Sequence, residues 1–458
     1  MYKYLSIALI FCIAGCSKSS FLDTKPDPSL VVPSTVEDYQ AILDNDLNMN
    51  GEYGYGVVPA LGETGADNYY LTQDNYNGYF TPLYQRCYTW DKNIFTNEQI
   101  ADWNVPYQCI YFANIVLDGL ENFNVTPDKQ ETYNNAKGSA LFYRAHMFYQ
   151  LAQIFANTYN TDSAALMPGI PLRLTSAINE KLNRGTLKDT YEKIIEDTRD
   201  AIALLPVKPL YATRPSTVAC YGLLARTYLT MANYDSASFY ANSFLQLQNT
   251  LMDYNTIDPN NEYPFAVFND EDIFQCEMIS GPDNIPVNPY LSFVDSNLYN
   301  SYADNDLRKT LFFKPLGVDY YFTGSYSGGY QLFAGIATDE MYLIRAECEA
   351  RKHNISAALT DLNSLLVKRY VSGSFIPYTE AGTPDVLNVI LNERRKELCF
   401  RSLRWTDLRR LNQEGENIIL ERDINGQQYF LLPNDKRYVY PIPSSVISFN
   451  PEMQQNIR

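Results

Sequence analysis

TDEMYLIRAECEARKHNISAALTDLNSLLVKRY, Thr338 to Tyr370, is the stretch that decides the fold. Its apolar residues recur at helical spacing, pause near Asn354 and resume. It reads as helix, break, helix. The same design recurs upstream in STVACYGLLARTYLTMANYDSASFYANSFL, from Ser216, where Ala219, Gly222, Ala225 and Ala232 are small enough to let neighbouring helices approach closely. In KGSALFYRAHMFYQLAQIFANTY, from Lys137, one face carries Leu141, Ala145, Phe148, Ala152 and Phe155. In TLKDTYEKIIEDTRDAIALLP, from Thr186, the face is Tyr191, Ile194, Ile195, Thr198, Ile202 and Leu205. Thr186 is a fitting N-cap there, with Asp189 three residues on, and Pro206 marks the stop. A final helix is expected from about Pro384 to Leu411.

Helix pairs of about 34 residues with small-residue packing resemble tetratricopeptide-type hairpins, whose units stack because none buries its apolar face alone. An ordinary helical bundle is the plainer alternative. The reading is a mainly α chain, with a tetratricopeptide-like scaffold over residues 100–248 and 336–411. Two long regions do not read as helix. Residues 48–96 are rich in Gly, Asn and Tyr, and residues 249–335 carry many Pro, Asn, Asp and aromatics. Insertions of this length in a folded domain are often functional. Residues 412–458 read as irregular, with a hairpin around Asn425-Gly426.

The chain opens on an apolar run, Leu5 to Ala14, that ends at Cys16. Spanning a bilayer takes roughly 20 apolar residues, so the run fits the apolar core of a signal peptide over residues 1–15, behind Lys3. Ile13-Ala14-Gly15-Cys16 resembles the lipobox of bacterial lipoproteins. In that class the cut falls before the cysteine, which is then acylated, and two or more chains hold firmly. A plain signal peptide with a chance cysteine is the alternative. Ser17 to Ser20 read as a leash to the folded body, residues 16–458.

A net charge of −17 argues against nucleic-acid binding, since phosphate backbones need basic grooves. Six cysteines remain after Cys12 and Cys16 (Cys87, Cys109, Cys220, Cys276, Cys348 and Cys399) and none forms a C-x-x-C. They read as buried thiols, with one or two disulfides left open. The two histidines, His146 and His353, fall in helical patterns without a second ligand at metal spacing, so no metal or other cofactor is expected. Nucleotide-loop, nucleophile-elbow and zinc-helix motifs are absent. Carboxylates such as Asp270, Glu271, Asp272, Asp304 and Asp306 are plentiful, but a glycosidase needs two of them across a cleft. Tyrosine is the outlier: its 38 residues outnumber phenylalanine (23) and tryptophan (3) together.

Several stretches, in order, resemble the SusD/RagB-type outer-membrane nutrient-binding lipoproteins of Bacteroidetes. They are FLDTKPD (Phe21 to Asp27), WNVPYQCIYFANIVLDGL from Trp103, KGSALFYRAHMFYQL from Lys137, GIPL from Gly169, ERRKELCFRSLRWTDLRR from Glu393 and YPIPSSVISFNPEMQQN from Tyr440. Two departures stand out. Arg401-Ser402 follow Phe400 where the family usually has Glu-Gly, and no acidic cluster follows Cys16, so outward exposure rests on the resemblance. Glu393, Arg394, Arg395 and Glu397 read as helix ion pairs that orient packing rather than as catalytic groups.

The resemblance implies a non-catalytic, lipid-anchored outer-membrane protein, facing the cell exterior. It would bind oligosaccharides for polysaccharide utilisation and pass them to a SusC-like TonB-dependent transporter. A peptide receptor on the same scaffold, an envelope glycoside hydrolase and a purely structural adaptor are the alternatives. Tyrosine suits a sugar, offering an apolar face and a hydrogen-bonding tip. Two clusters offer such surfaces. One holds Asp67, Asn68, Tyr69, Tyr70 and Tyr76, with Trp90 after it. The other holds Tyr290, Tyr320, Tyr321 and Tyr326, together with Tyr299 and Tyr330. The two loop regions are expected to converge on one face of the scaffold, and part of the tyrosine-rich surface to face the transporter.

Overall fold

The computed structural model describes residues 33–51, 56–78, 81–96, 98–280 and 291–458. The expected signal peptide and lipidation at Cys16, the FLDTKPD match and Tyr290 lie outside the described residues. The described residues are mostly helical, and the sheets among them are all short and two-stranded. The helices that build it are α1 (Val36–Leu43), α2 (Leu61–Gly65), α3 (Ala101–Leu120), α4 (Gln130–Phe155), α5 (Leu187–Ile202), α6 (Thr217–Thr230), α7 (Tyr234–Leu247), α8 (Thr338–Arg351), α9 (Ile355–Leu366), α10 (Val386–Glu397) and α11 (Arg404–Glu414).

Each long helix from α3 to α7 packs on the next, and α7 passes the stack on to the α8/α9 hairpin and α10. Local chemistry sets the ends. Thr186 and Asp189 form the capping box that starts α5. Between α8 and α9 the chain turns at His353, whose φ of +63° ends the first helix. Gly222 explains the close approach of α6: a Cβ there would stand 2.5 Å from Ile336 Cγ2 and 3.4 Å from Phe244 of α7.

Three expectations need correction. Helix α4 buries every side from Gly138 to Phe155, not one stripe, because it is the centre of the stack between α3 and α5. The single helix expected over 384–411 is two, α10 and α11. Phe400 and Ser402 adopt φ of +60° and +59° between them, which no helix can carry. The region 48–96 is not all irregular: α2, Gln73–Gly78 and Pro82–Tyr88 are helical. The hairpin at the C-terminal end is present, Leu420–Ile424 against Gln427–Leu431. Asn425 and Gly426 both take positive φ, as its two-residue turn requires. All six cysteines are buried and free.

Candidate functional site

The two insertions meet through backbone pairing. Tyr69–Tyr70 forms an antiparallel pair with Phe293–Val294, and the hairpin Phe313–Leu316/Asp319–Phe322 packs beside it. The Tyr70 hydroxyl donates to Asp319 Oδ1 at 2.5 Å, tying one insertion to the other. Burial, then hydrogen bonding to Asp319, raises the Tyr70 hydroxyl well above the ordinary phenol range.

In the hairpin, alternation separates two rows. Phe313 and Phe322 point inward, where Phe322 stacks on Phe400 at 4.5 Å. Tyr320 shares their row and stacks on Tyr299, 3.7 Å between centroids and 18° between planes. Lys314, Asp319 and Tyr321 take the other row, with Leu316 half-exposed beside them. The hairpin is therefore a half-exposed ridge with two flanks: Tyr70 over Phe293 and Tyr321 beside Asp319 on one, and the Tyr299–Tyr320 stack on the other.

Not every expected residue reaches that ridge. Asn68, Tyr69, Trp90 and Tyr326 are buried, so the surface expected of them is taken up by the core. The Tyr69 hydroxyl donates to the carbonyl of Thr64, and Trp90 Nε1 donates to that of Gly65. Tyr69, Tyr88 and Trp90 surround the guanidinium of Arg422, which comes from the C-terminal hairpin and lies 4.4 Å from the Tyr88 centroid. Tyr326 lies under Arg401 at 4.0 Å and meets the Tyr254 hydroxyl at 2.9 Å. Tyr76 is half-buried against Tyr88.

Asp67 is held by Arg404 in a two-point contact, 2.7 and 2.8 Å, and by Arg395 at 3.2 Å. Burial alone would raise its carboxyl, but Arg404 and then Arg395 outweigh it and hold the group far below the usual range. Asn68 donates to Glu63, whose carboxyl is pushed up to about 7 by burial. Beside these lies a cleft of about 520 Å³, lined by Asp67, Asp295, Arg395, Arg404 and residues of α10 and the 416–422 segment. Of its lining the sequence pattern marked Asp67 as a ligand contact but not the cleft itself, since its walls come from five separate stretches. A second cleft of about 670 Å³ sits on the scaffold between Trp103, Tyr107 and Tyr111 of α3 and Phe449 and Met453.

The charged residues of α10 act as packing groups. Glu393 and Glu397 hold the buried Arg308 at 2.6 and 2.9 Å, and Arg394 pairs with Asp407 of α11. Glu271, Asp339 and Glu397 bring carboxylate oxygens within 4.8 Å of one another. Arg369 joins Glu271 and Glu397, and Arg401 neutralises Asp339 at 2.8 Å, so guanidinium groups fill the role a cation would take.

Residues 20–229 match the family model described as "Starch-binding associating with outer membrane", a SusD-like family, and residues 338–458 match that of the SusD family. The chain is 24% identical over 419 residues to SusD-like protein P2 of Formosa agariphila, covering 78% of this chain and 79% of that one. A SusD superfamily protein of Bacteroides thetaiotaomicron has the same fold, with TM-score 0.75, 22% identity and coverage of 93% and 100%. So does a laminarin-binding SusD-like protein, with TM-score 0.64, 18% identity and coverage of 91% and 97%.

Proposed function

The chain belongs to the SusD family, and from that premise we propose that it is a non-catalytic receptor for oligosaccharides at the outer membrane, held there through Cys16, which hands its ligand to a SusC-like TonB-dependent transporter. The observation that carries the reading is the convergence of the two insertions on one half-exposed aromatic ridge. A pyranose face packs on tyrosine rings, while hydroxyl groups need directional partners such as Asp319 and the Tyr70 hydroxyl. The laminarin-binding relative supports a glycan as the class of ligand. Among the described residues no helix is long and apolar enough to cross a membrane.

Of the residues expected from sequence, Tyr70, Tyr320 and Tyr321 are the ligand contacts in this reading, joined by Tyr299. The test is a glycan and peptide array, followed by calorimetry on wild type and on Tyr70→Ala, Tyr299→Ala, Tyr320→Ala and Tyr321→Ala. Loss of a stacking ring costs about 1 kcal/mol or more, at least five-fold in Kd. Binding to peptides alone, or turnover of a bound glycan, overturns the proposal. Unchanged glycan affinity in all four variants removes the ridge as its site.

A further inference from the structure

We propose that the cleft beside the ridge is a second subsite, which takes the hydroxyl-rich continuation of an uncharged oligosaccharide whose first rings lie on the tyrosines. This rests on the receptor reading above. The two places are neighbours: Asp295, which lines the cleft, directly follows the strand Phe293–Val294 that pairs with Tyr69–Tyr70, and its amide donates to the carbonyl of Asn68. At about 520 Å³ the cleft is within the range of small-molecule sites.

Its chemistry is that of a polyol site. Asn297, Asn388 and Asn392 are exposed on its walls, each offering a donor and an acceptor on one side chain. Arg422 lines it while more than nine-tenths buried, and its Nε has no hydrogen-bond partner among the described residues. Arg395 Nε is likewise buried without a partner. An unpartnered buried N–H is costly, and these two lie just behind the cleft wall, where a small side-chain shift would bring them to a ligand oxygen.

The charges speak against an anionic ligand. Arg404 is committed to Asp67, and Arg395 is shared between Asp67 and Asp295 at 3.2 and 3.5 Å. Arg422 lies among three aromatic rings, and Glu416 and Glu421 stand exposed at the rim. A uronate or sulfate would meet carboxylates whose counter-ions are already engaged. A neutral chain, which donates and accepts at every hydroxyl, meets matched partners.

The test uses the array's neutral binder as a size series, measured by calorimetry, with each chain also oxidised at C6 to its uronate. In wild type, affinity should climb with chain length until both places are filled. Asn388→Leu and Asn392→Leu sit on the exposed face of α10 and should fold normally. They should lower the affinity of the long chain about five- to ten-fold, leaving the shortest bound chain within two-fold of wild type. The uronate series should bind at least ten-fold more weakly at low salt, with the gap narrowing as salt screens it. Equal effects on short and long chains, or none on either, overturn the subsite. Tighter binding of the uronates overturns the uncharged class. A protein that binds no glycan of any length fails at the receptor reading, and the subsite falls with it.

Discussion

Arg401 stands where the family pattern usually has glutamate, and the structure makes its replacement a sharp test of the buried ionic layer. Its Nη1 lies 2.8 Å from Asp339, and its guanidinium covers Tyr326 at 4.0 Å and Phe333 at 5.6 Å. Arg401→Met keeps most of the volume and removes the cation. Breaking one side of a buried pair costs about 3–5 kcal/mol, and a desolvated cation–π contact adds about 1–2 kcal/mol. A chain of this length unfolds with an entropy of roughly 0.9 kcal/mol/K, so a loss of about 4–7 kcal/mol lowers the midpoint by about 4–8 °C. The pH dependence identifies the cause. Burial raises the Asp339 carboxyl even with Arg401 present. Without Arg401 it rises further, and the native variant then binds a proton that the unfolded chain gives up. The deficit should therefore be largest at alkaline pH and shrink as acid protonates Asp339 in both native proteins. Calorimetric melting of both proteins at several pH values measures it. A shift under about 1 °C, or a deficit that does not change with pH, refutes the claim that Arg401 acts as the counter-ion of Asp339.

Ser402 takes φ +59° where the pattern has glycine. Ser402→Gly should relieve about 1 kcal/mol of strain against about 0.5 kcal/mol of added unfolded-chain freedom, and melt slightly higher; a lower midpoint would show that its hydroxyl, 3.3 Å from the Pro59 carbonyl, matters more. Glu63, raised to about 7 by burial, favours folding as pH falls from about 7 toward 4.5. Glu63→Gln should be the more stable protein at pH 8, by up to about 2–3 kcal/mol, and match wild type near pH 4.5 in denaturant titrations; a gap that does not depend on pH contradicts this. A double-mutant cycle on Tyr70→Phe and Asp319→Asn should give a coupling of about 1 kcal/mol, read by denaturant unfolding; zero coupling means that their bond does not join the insertions. Tyr111→Ala and Phe449→Ala, in the scaffold cleft, should leave glycan affinity unchanged, and a five-fold loss in either would move the site there.

The scaffold was legible because helical periodicity and caps are local signals: the Thr186/Asp189 box and the break at Asn354 lie where the residues put them. The family was legible from motifs spread over the chain. The ridge was only half legible. Loop tyrosines announce a surface, but which of them face solvent depends on partners far away in sequence. Tyr69 and Trp90 are buried because Arg422 of the C-terminal hairpin needs aromatic faces. Tyr326 is buried because Arg401, from the segment between α10 and α11, does too. The extra break at Phe400–Ser402 was hidden because neither residue type signals a positive φ.

These buried cations explain how long insertions hold a fixed shape with so little sheet. Arg308 fastens the second insertion to Glu393 and Glu397 of α10, and Glu271 of the same insertion fastens to Arg369. Asp67 of the first insertion is fastened to Arg395 and Arg404. Apolar packing of similar volume would stabilise the chain as well or better, since desolvation offsets most of a buried pair's attraction. What ion pairs add is direction: a guanidinium shared by two carboxylates admits few geometries, whereas apolar side chains tolerate many. An aromatic ridge that must stay half-exposed cannot fix its own position by burial. On this argument the ionic layer positions Tyr70, Tyr299 and Tyr320. Loosening it by Arg308→Met should weaken glycan binding even though Arg308 lies inside the protein, away from the ligand. The loss should exceed what the same drop in melting temperature produces in a scaffold variant such as Gly138→Ala, which crowds Leu204 and Leu205. Equal binding in the two variants would leave the layer with a structural role only.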